Sequence, residues 1–332
     1  MPGTPPMRAV RCTAYGPPEQ LIVTDHADPV PGPGEVVVDV SYASVNFPDL
    51  LAVAGGYQVR TEVPFTPGSE FAGIVSAVGP GVAAPLPGAP VAGMVMSGAF
   101  AEKVKVPASA VRRLPPGADL AIAAATGVTH STAYSALRSA AGVTREEWVA
   151  VTGAAGGVGS AAVVLARALG ARVLAVVSTS EKARFCRDLG ADAVLDLTVA
   201  RDLKEQVRTV TDGGADVVLD VVGGELAETL LRAMRRRGRF VTLGFASGTI
   251  PRIPLNLVLL KGVTVLGFEI RTFADDRPDL AARDDAELAA LHATGLGATV
   301  TARYRLDQVA EALRSVADRA ALGKVVLTVG GD

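Results

Sequence analysis

The sequence predicts an α/β protein: a doubly wound parallel sheet, preceded along the chain by a β-rich domain. Three observations carry that class. From Trp148 to Glu269, short runs that are apolar throughout alternate with amphipathic segments, as when helices cover both faces of a parallel sheet. Residues 7 to 115 are rich in Val, Pro and Gly and break into short runs between turn clusters. A glycine-rich elbow, "VTGAAGGVGSAAVV", joins the first apolar run of the alternating half to the segment that follows.

The elements follow in order. "EVVVDVSYAS", "EFAGIVSAVG" and "AFAEKVKVP" read as strands, divided by "PVPGPGE" and "GPGVAAPLPGAP". They suit a compact, partly open barrel. Near Leu120 the texture changes, and "LAIAAATGVTHSTAYSALRSA" has helical spacing. The sheet strands are then "WVAVTG", "ARVLAVVS", "DAVLDL", "ADVVLDVVG", "GRFVTLGF" and "GVTVLGFE". The helices between them are "GVGSAAVVLARALG", "EKARFCRDLG", "ARDLKEQVRTVT" and "ELAETLLRAMRR". Residues 270 to 285, "IRTFADDRPDLAARDD", read as a loop without a derivable path. The tail "YRLDQVAEALRSVADRAALGKVVLTV" reads as one helix and one strand returning to the first domain. The expected domains are therefore 1–126 with 270–332, and 127–269.

Composition narrows the function. At 332 residues and 49% hydrophobic, the chain buries a sizeable core. Thirty-two basic against thirty-four acidic residues leave no basic face for nucleic acid. No uncharged apolar run reaches ~18 residues, so no membrane helix is expected. "MPGTPPMRAV" lacks the apolar core of a secretory leader. Two distant cysteines, Cys12 and Cys186, suit core positions in a reduced, cytoplasmic chain. Three scattered histidines, His26, His130 and His292, give no metal-ligand spacing, so no metal site is expected.

The glycines have separate tasks. Gly153 permits a tight turn. Gly156 and Gly157 let backbone approach a pyrophosphate, and Gly159 lets the helix pack close to the strand. With Val158 they form an elbow whose N–H groups meet phosphate at a helix N-terminus. About 20 residues on, such units place an acid on the ribose 2′-OH. Here Ser178 stands 19 residues after Gly159. Ser178, Thr179 and Ser180 offer hydroxyls and Lys182 a cation, a set suited to a 2′-phosphate. The residues thus predict NADPH over NADH.

With these motifs in hand, the chain resembles the zinc-independent NADPH:quinone oxidoreductase branch of the medium-chain dehydrogenase/reductase superfamily. The resemblance rests on "SVNFPDLLAVAGGYQ", "PFTPGSEFAGIVSAVGPGV", "VTHSTAYSAL", "TGAAGGVGSAAVVLARALGA", "LGFASG" and "GKVVLTV". Zinc-using members carry a His before the Glu and a four-cysteine lobe; here Ser69 precedes Glu70 and the lobe is missing. The resemblance implies a groES-like β-rich catalytic domain around a Rossmann domain, with the active site in the cleft between them. It implies that Asn46 lies near the nicotinamide ribose, that Tyr57 lines the substrate pocket, and that Thr132 contacts the nicotinamide side. Gly244, Phe245 and Ala246 should lie beside the cofactor, and Gly323 and Lys324 should close over it. A homodimer joining last sheet strands is implied as well. Three departures stand out: "GAPVAG" for "GDRV", a missing arginine near Val53 and Ala54, and Leu197 where an aromatic is usual.

These parts imply hydride delivery from NADPH to a small electron-poor acceptor, a quinone or an activated alkene (enone). Without a metal, hydrogen-bond donors must meet the negative charge on the acceptor oxygen. Tyr57 and Asn46 are the candidate catalytic side chains, with the proton arriving from water or Tyr57. Tyr57 alternatively packs after a Gly-Gly turn, and Asn46 alternatively serves as a turn residue. His130 reads as a helix residue with a local hydrogen bond, and Glu70 as structural. Enoyl-thioester reduction is the alternative reaction. A non-catalytic NADPH-binding scaffold or redox sensor is the alternative of another class.

Overall fold

The structure is a computed structural model and describes residues 6–330. Residues 1–5, part of the stretch read above for a leader, and 331–332 lie outside the described residues. Two compact units divide the described residues: 6–128 with 297–330, and 129–296.

The first unit opens with β1 (Met7–Arg11), β2 (Ile22–His26), β3 (Glu35–Val45), α1 (Phe47–Val53), β4 (Glu70–Val78), β5 (Pro90–Met94), β6 (Lys103–Pro107) and β7 (Val111–Arg113). Helix α2 (Leu120–Ser135) leads from it into the second unit and ends in a π turn over Ala136–Ala140. The second unit holds β8 (Trp148–Thr152), α3 (Gly157–Ala168), β9 (Arg172–Val177), α4 (Ser180–Asp188), β10 (Ala193–Asp196), α5 (Leu203–Val210), β11 (Val217–Asp220), α6 (Glu225–Ala233), β12 (Arg239–Thr242), α7 (Leu255–Lys261), β13 (Thr264–Gly267), α8 (Ile270–Asp276) and α9 (Pro278–Ala293). The chain then returns to the first unit as β14 (Val300–Arg305), α10 (Val309–Ala317) and β15 (Lys324–Thr328).

In the second unit six parallel strands run in the order β10-β9-β8-β11-β12-β13. Strand order reverses between β8 and β11, which is where such sheets open a crevice at their carboxyl ends. Val149 to Val151 and Val217 to Leu219 are fully buried, because helices cover both faces. This is the doubly wound Rossmann arrangement.

The first unit carries the β-rich, groES-like sheet β14-β15-β3-β4-β5-β7, with β6 paired to β3 and β1-β2 a separate pair. Its core gathers Val36, Val38, Val40, Phe71, Phe100 and Leu327. The tail returns because Val309, Ala312 and Leu313, at helical spacing i, i+3, i+4, bury on that core. Strand β15 then pairs antiparallel with β3, Val325 opposite Val45.

Three expectations are corrected. Residues 270–296 belong to the second unit, not the first. Residues 270–285 are helical, because Glu269 caps α8 through the N–H groups of Arg271 and Thr272, and Pro278 opens α9. Helix α9 is held largely by polar pairs, which a search for apolar stripes misses. Tyr134 Oη donates to Glu287 at 2.7 Å, and Ser139 Oγ to Asp284 at 2.5 Å. In the tail, "YR" closes strand β14 and the helix begins only at Val309, since "TARYR" alternates with period two against β15. "GAPVAG" supplies β5, paired with β4 from Pro90 to Met94.

Candidate functional site

Two polar constructions stand out, one in each unit. In the second unit β8 ends at Thr152 and the chain turns at Gly153, whose φ is +56°. That left-handed conformation favours glycine, and a Cβ there would also meet Val221 Cγ2 at 2.9 Å. Gly156 is the extended N-cap of α3. A Cβ on Gly159 would lie 2.1 Å from the Gly153 carbonyl oxygen, so the helix rests directly on the elbow's backbone. The first-turn N–H groups of Gly157, Val158 and Gly159 have no intrahelical acceptor and point out of the helix end with its positive dipole. Such a helix end has the form of a phosphate cradle.

Segments far apart in sequence complete the cradle. Thr152 Oγ1 donates to Asp220 Oδ1 at 2.7 Å and accepts from Val221 N at 3.0 Å. Asp220 Oδ1 also accepts from Val222 N and Gly223 N, each at 3.1 Å. The loop after β11 is thereby fixed against Gly153. Ala246 N donates to Val221 O at 3.1 Å, which ties the Gly244–Phe245–Ala246 loop to the same place. Phe245 keeps its ring partly exposed there. Asp220 and Thr152 were missed in the sequence because their roles depend on β8 and β11 lying side by side.

At the end of β9, Lys182 Nζ donates to Ser178 Oγ at 3.1 Å. Thr179 caps α4, accepting from Lys182 N at 3.2 Å. Ser180 Oγ donates to Asp196 Oδ2 at 2.7 Å. Leu197, where an aromatic is usual, packs against the apolar core. Thr132 lies half-buried on α2 in this unit.

The second construction is in the first unit. Asn46 opens α1, but the cap is made by Asp49, whose carboxylate accepts from Asn46 N at 2.8 Å. The Asn46 side chain is therefore available to other partners. Its Nδ2 donates to Glu70 Oε2 at 3.2 Å, and its Oδ1 accepts from Lys324 Nζ at 2.5 Å. Lys324 also donates to Val45 O at 3.4 Å and lies 3.7 Å from Glu70. Glu70 Oε1 accepts from Val128 N at 3.0 Å, at the other end of its carboxylate. All four side chains are at most 5% exposed. Burial pushes Asp49 up to about 7, against the opposing pull of its bonds from Asn46 N and Ser69 and of the Lys324 charge. Burial also lowers the Lys324 ammonium, against the charges of Glu70 and Asp49. Asp49 was missed in the sequence, although its place three residues after Asn46 is capping-box spacing.

The remaining expected residues are dispersed. Tyr57 is half-buried in the loop after α1, and Gly323 is buried just before β15 with φ +54°. His130 has a partner far off in sequence: its Nδ1 lies 3.1 Å from His292 Nε2, because α9 packs beside α2. The two histidines that spacing kept apart are neighbours in space.

Comparison with known proteins places the chain. The alcohol dehydrogenase GroES-like domain family matches residues 32–116, and the zinc-binding dehydrogenase family matches residues 157–284. A quinone oxidoreductase-like protein 2 homolog of Nematostella vectensis is 34% identical over 96% of this chain and 88% of its own. The structure of Escherichia coli quinone oxidoreductase complexed with NADPH aligns with a TM-score of 0.88 at 28% identity, over 97% of this chain and 99% of that one. The CurK enoyl reductase aligns with a TM-score of 0.86 at 26% identity, over 97% and 99%.

Fold and phosphate cradle define a dinucleotide-binding oxidoreductase class. Within it, the chain belongs to the quinone oxidoreductase branch of the medium-chain dehydrogenase/reductase superfamily. One of the matching family descriptions names zinc. Among the described residues no group of three or more His, Cys, Asp or Glu is placed to hold a metal ion. Beside Glu70 the cation is the Lys324 ammonium, which would repel a second one. No described helix is long and apolar enough to cross a membrane.

Proposed function

We propose that the chain is an NADPH-dependent, zinc-independent reductase of small electron-poor acceptors, quinones or activated alkenes. The observation that carries this reading is the glycine elbow together with Ser178, Thr179 and Lys182 at the end of β9, where an acid would favour NADH. The elbow N–H groups of Gly157, Val158 and Gly159 hold the pyrophosphate. Ser178, Thr179 and Lys182 hold the 2′-phosphate, and the Gly244–Ala246 loop lines the same crevice. When bound, NADPH supplies the hydride. Asn46, locked at both ends of its amide by Glu70 and Lys324, presents a fixed polar edge, and Tyr57 offers the hydroxyl that meets the acceptor oxygen.

A second reading, reduction of enoyl thioesters, is favoured by the full-length similarity to an enoyl reductase. NADPH oxidation with a panel of quinones, enones and enoyl-CoA esters separates the two. Turnover with quinones or enones above enoyl-CoA upholds the first reading; the reverse order gives the second. Tight NADPH binding without oxidation by any acceptor sinks both.

A homodimer fits the edge of the second unit. Strand β13 pairs only with β12 among the described residues, and its Val265 is exposed. Leu255, Leu259 and Leu260 of the preceding α7 are more than 60% exposed. An open apolar edge of this kind favours pairing with a second copy.

A further inference from the structure

The residues at the end of β9 do not all face a 2′-phosphate as donors. Parallel pairing sets Asp196, the last residue of β10, opposite Val177, one residue before Ser178. Its carboxylate is held on both oxygens. Oδ1 accepts from Thr198 N at 2.9 Å and Thr198 Oγ1 at 2.7 Å, and Oδ2 accepts from Ser180 Oγ at 2.7 Å. A hydroxyl has one proton. Ser180 has committed its proton to Asp196 and so has only lone pairs left to offer an incoming anion. Ser178 and Thr179, by contrast, are engaged there as acceptors from Lys182. These bonds also hold Asp196 below the usual carboxylate range, so it stays charged at neutral pH.

We infer that Asp196 is a specificity-determining residue for the cofactor: it withholds the Ser180 hydroxyl from the 2′-phosphate and sets a fixed negative charge at the margin of that subsite. The inference rests on the 2′-phosphate reading proposed above and explains why Ser180 does not join Ser178, Thr179 and Lys182 as a donor. It implies that the chain discriminates NADPH from NADH less than its hydroxyl-rich sequence suggests, and that one substitution restores the difference. In Asp196→Asn the side-chain oxygen still accepts from Thr198. Its Nδ2 donates to Ser180 Oγ, which frees the Ser180 proton for phosphate and removes the opposing charge.

The test is calorimetric titration of the full chain and the D196N variant with NADPH and NADH at fixed low salt. D196N is expected to bind NADPH about three- to tenfold more tightly, the scale of one exposed charge and one hydrogen bond, with NADH affinity within about twofold. The gain shrinks as salt rises. A D196A variant, which also removes charge and acceptor, moves the NADPH to NADH ratio in the same direction. If neither variant shifts that ratio by more than about twofold, or if it falls, Asp196 has no such role. Failure of the underlying reading shows separately: a wild-type chain that binds NADH as tightly as NADPH has no 2′-phosphate subsite, whatever D196N does.

Discussion

Asp49 gives a stability prediction with a definite sign. The side chain is 3% exposed, and its folded pKa rises from 3.8 to about 7, chiefly through burial. Between about pH 4 and pH 7 the folded chain holds a proton on Asp49 that the unfolded chain has released. Folded protein therefore binds more protons in that window, and stability falls as pH rises through it. A carboxylate whose pKa is depressed by a partner behaves in the opposite way. Asp49→Asn keeps an oxygen to accept the Asn46 N–H and removes the titration. About three pH units at ~1.36 kcal/mol each make ~4 kcal/mol that the wild type loses relative to the variant between about pH 4 and pH 8. Carboxylates held low by partners, such as Glu287 beside Arg138, pull the other way but are the same in both proteins and cancel in the difference. Denaturant midpoints and slopes at half-unit pH steps give the two stability curves. A difference curve flat to within ~1 kcal/mol over that range refutes the burial argument.

Three further outcomes follow from the same geometry. Gly159→Ala sets a Cβ 2.1 Å from a backbone carbonyl, so α3 must shift; the chain should lose ~1–3 kcal/mol and bind NADPH at least tenfold more weakly, by thermal unfolding and calorimetry. Lys324→Met leaves Glu70 buried without its cation and should cost ~3–5 kcal/mol. The Lys324→Met, Glu70→Gln pair should lose less than the sum of the single variants, and strict additivity in the double-mutant cycle would contradict the ion pair. Val265→Glu on the open β13 edge should halve the mass seen by sedimentation, whereas an unchanged dimer would place the interface elsewhere.

Much of the doubly wound unit was legible before folding. Its central strands are buried on both faces, so Val149 to Val151 and Val217 to Leu219 are unbroken apolar runs, and the elbow needs glycine for reasons of backbone geometry alone. Gly153 with φ +56° and Gly159 pressed on a carbonyl are local facts that local sequence reports. Helix α9 escaped because it is fastened by Tyr134, Ser139 and their acidic partners, not by an apolar stripe, and α8 because its start is set by the Glu269 cap. Polar fastening leaves no periodicity to read.

The buried cluster marks the boundary between the two sources of information. Sequence by itself determined the residue types, the fold class and the absence of a histidine before Glu70. Only tertiary structure decided that Asn46, Asp49, Glu70 and Lys324 share one buried space, since pairing β15 with β3 brings Lys324 across 278 residues to Asn46. It likewise decided that Ser180 gives its proton to Asp196, through the register of β9 and β10. Charge and hydrogen-bond direction depend on distance in space, and strand pairing, not sequence separation, sets that distance.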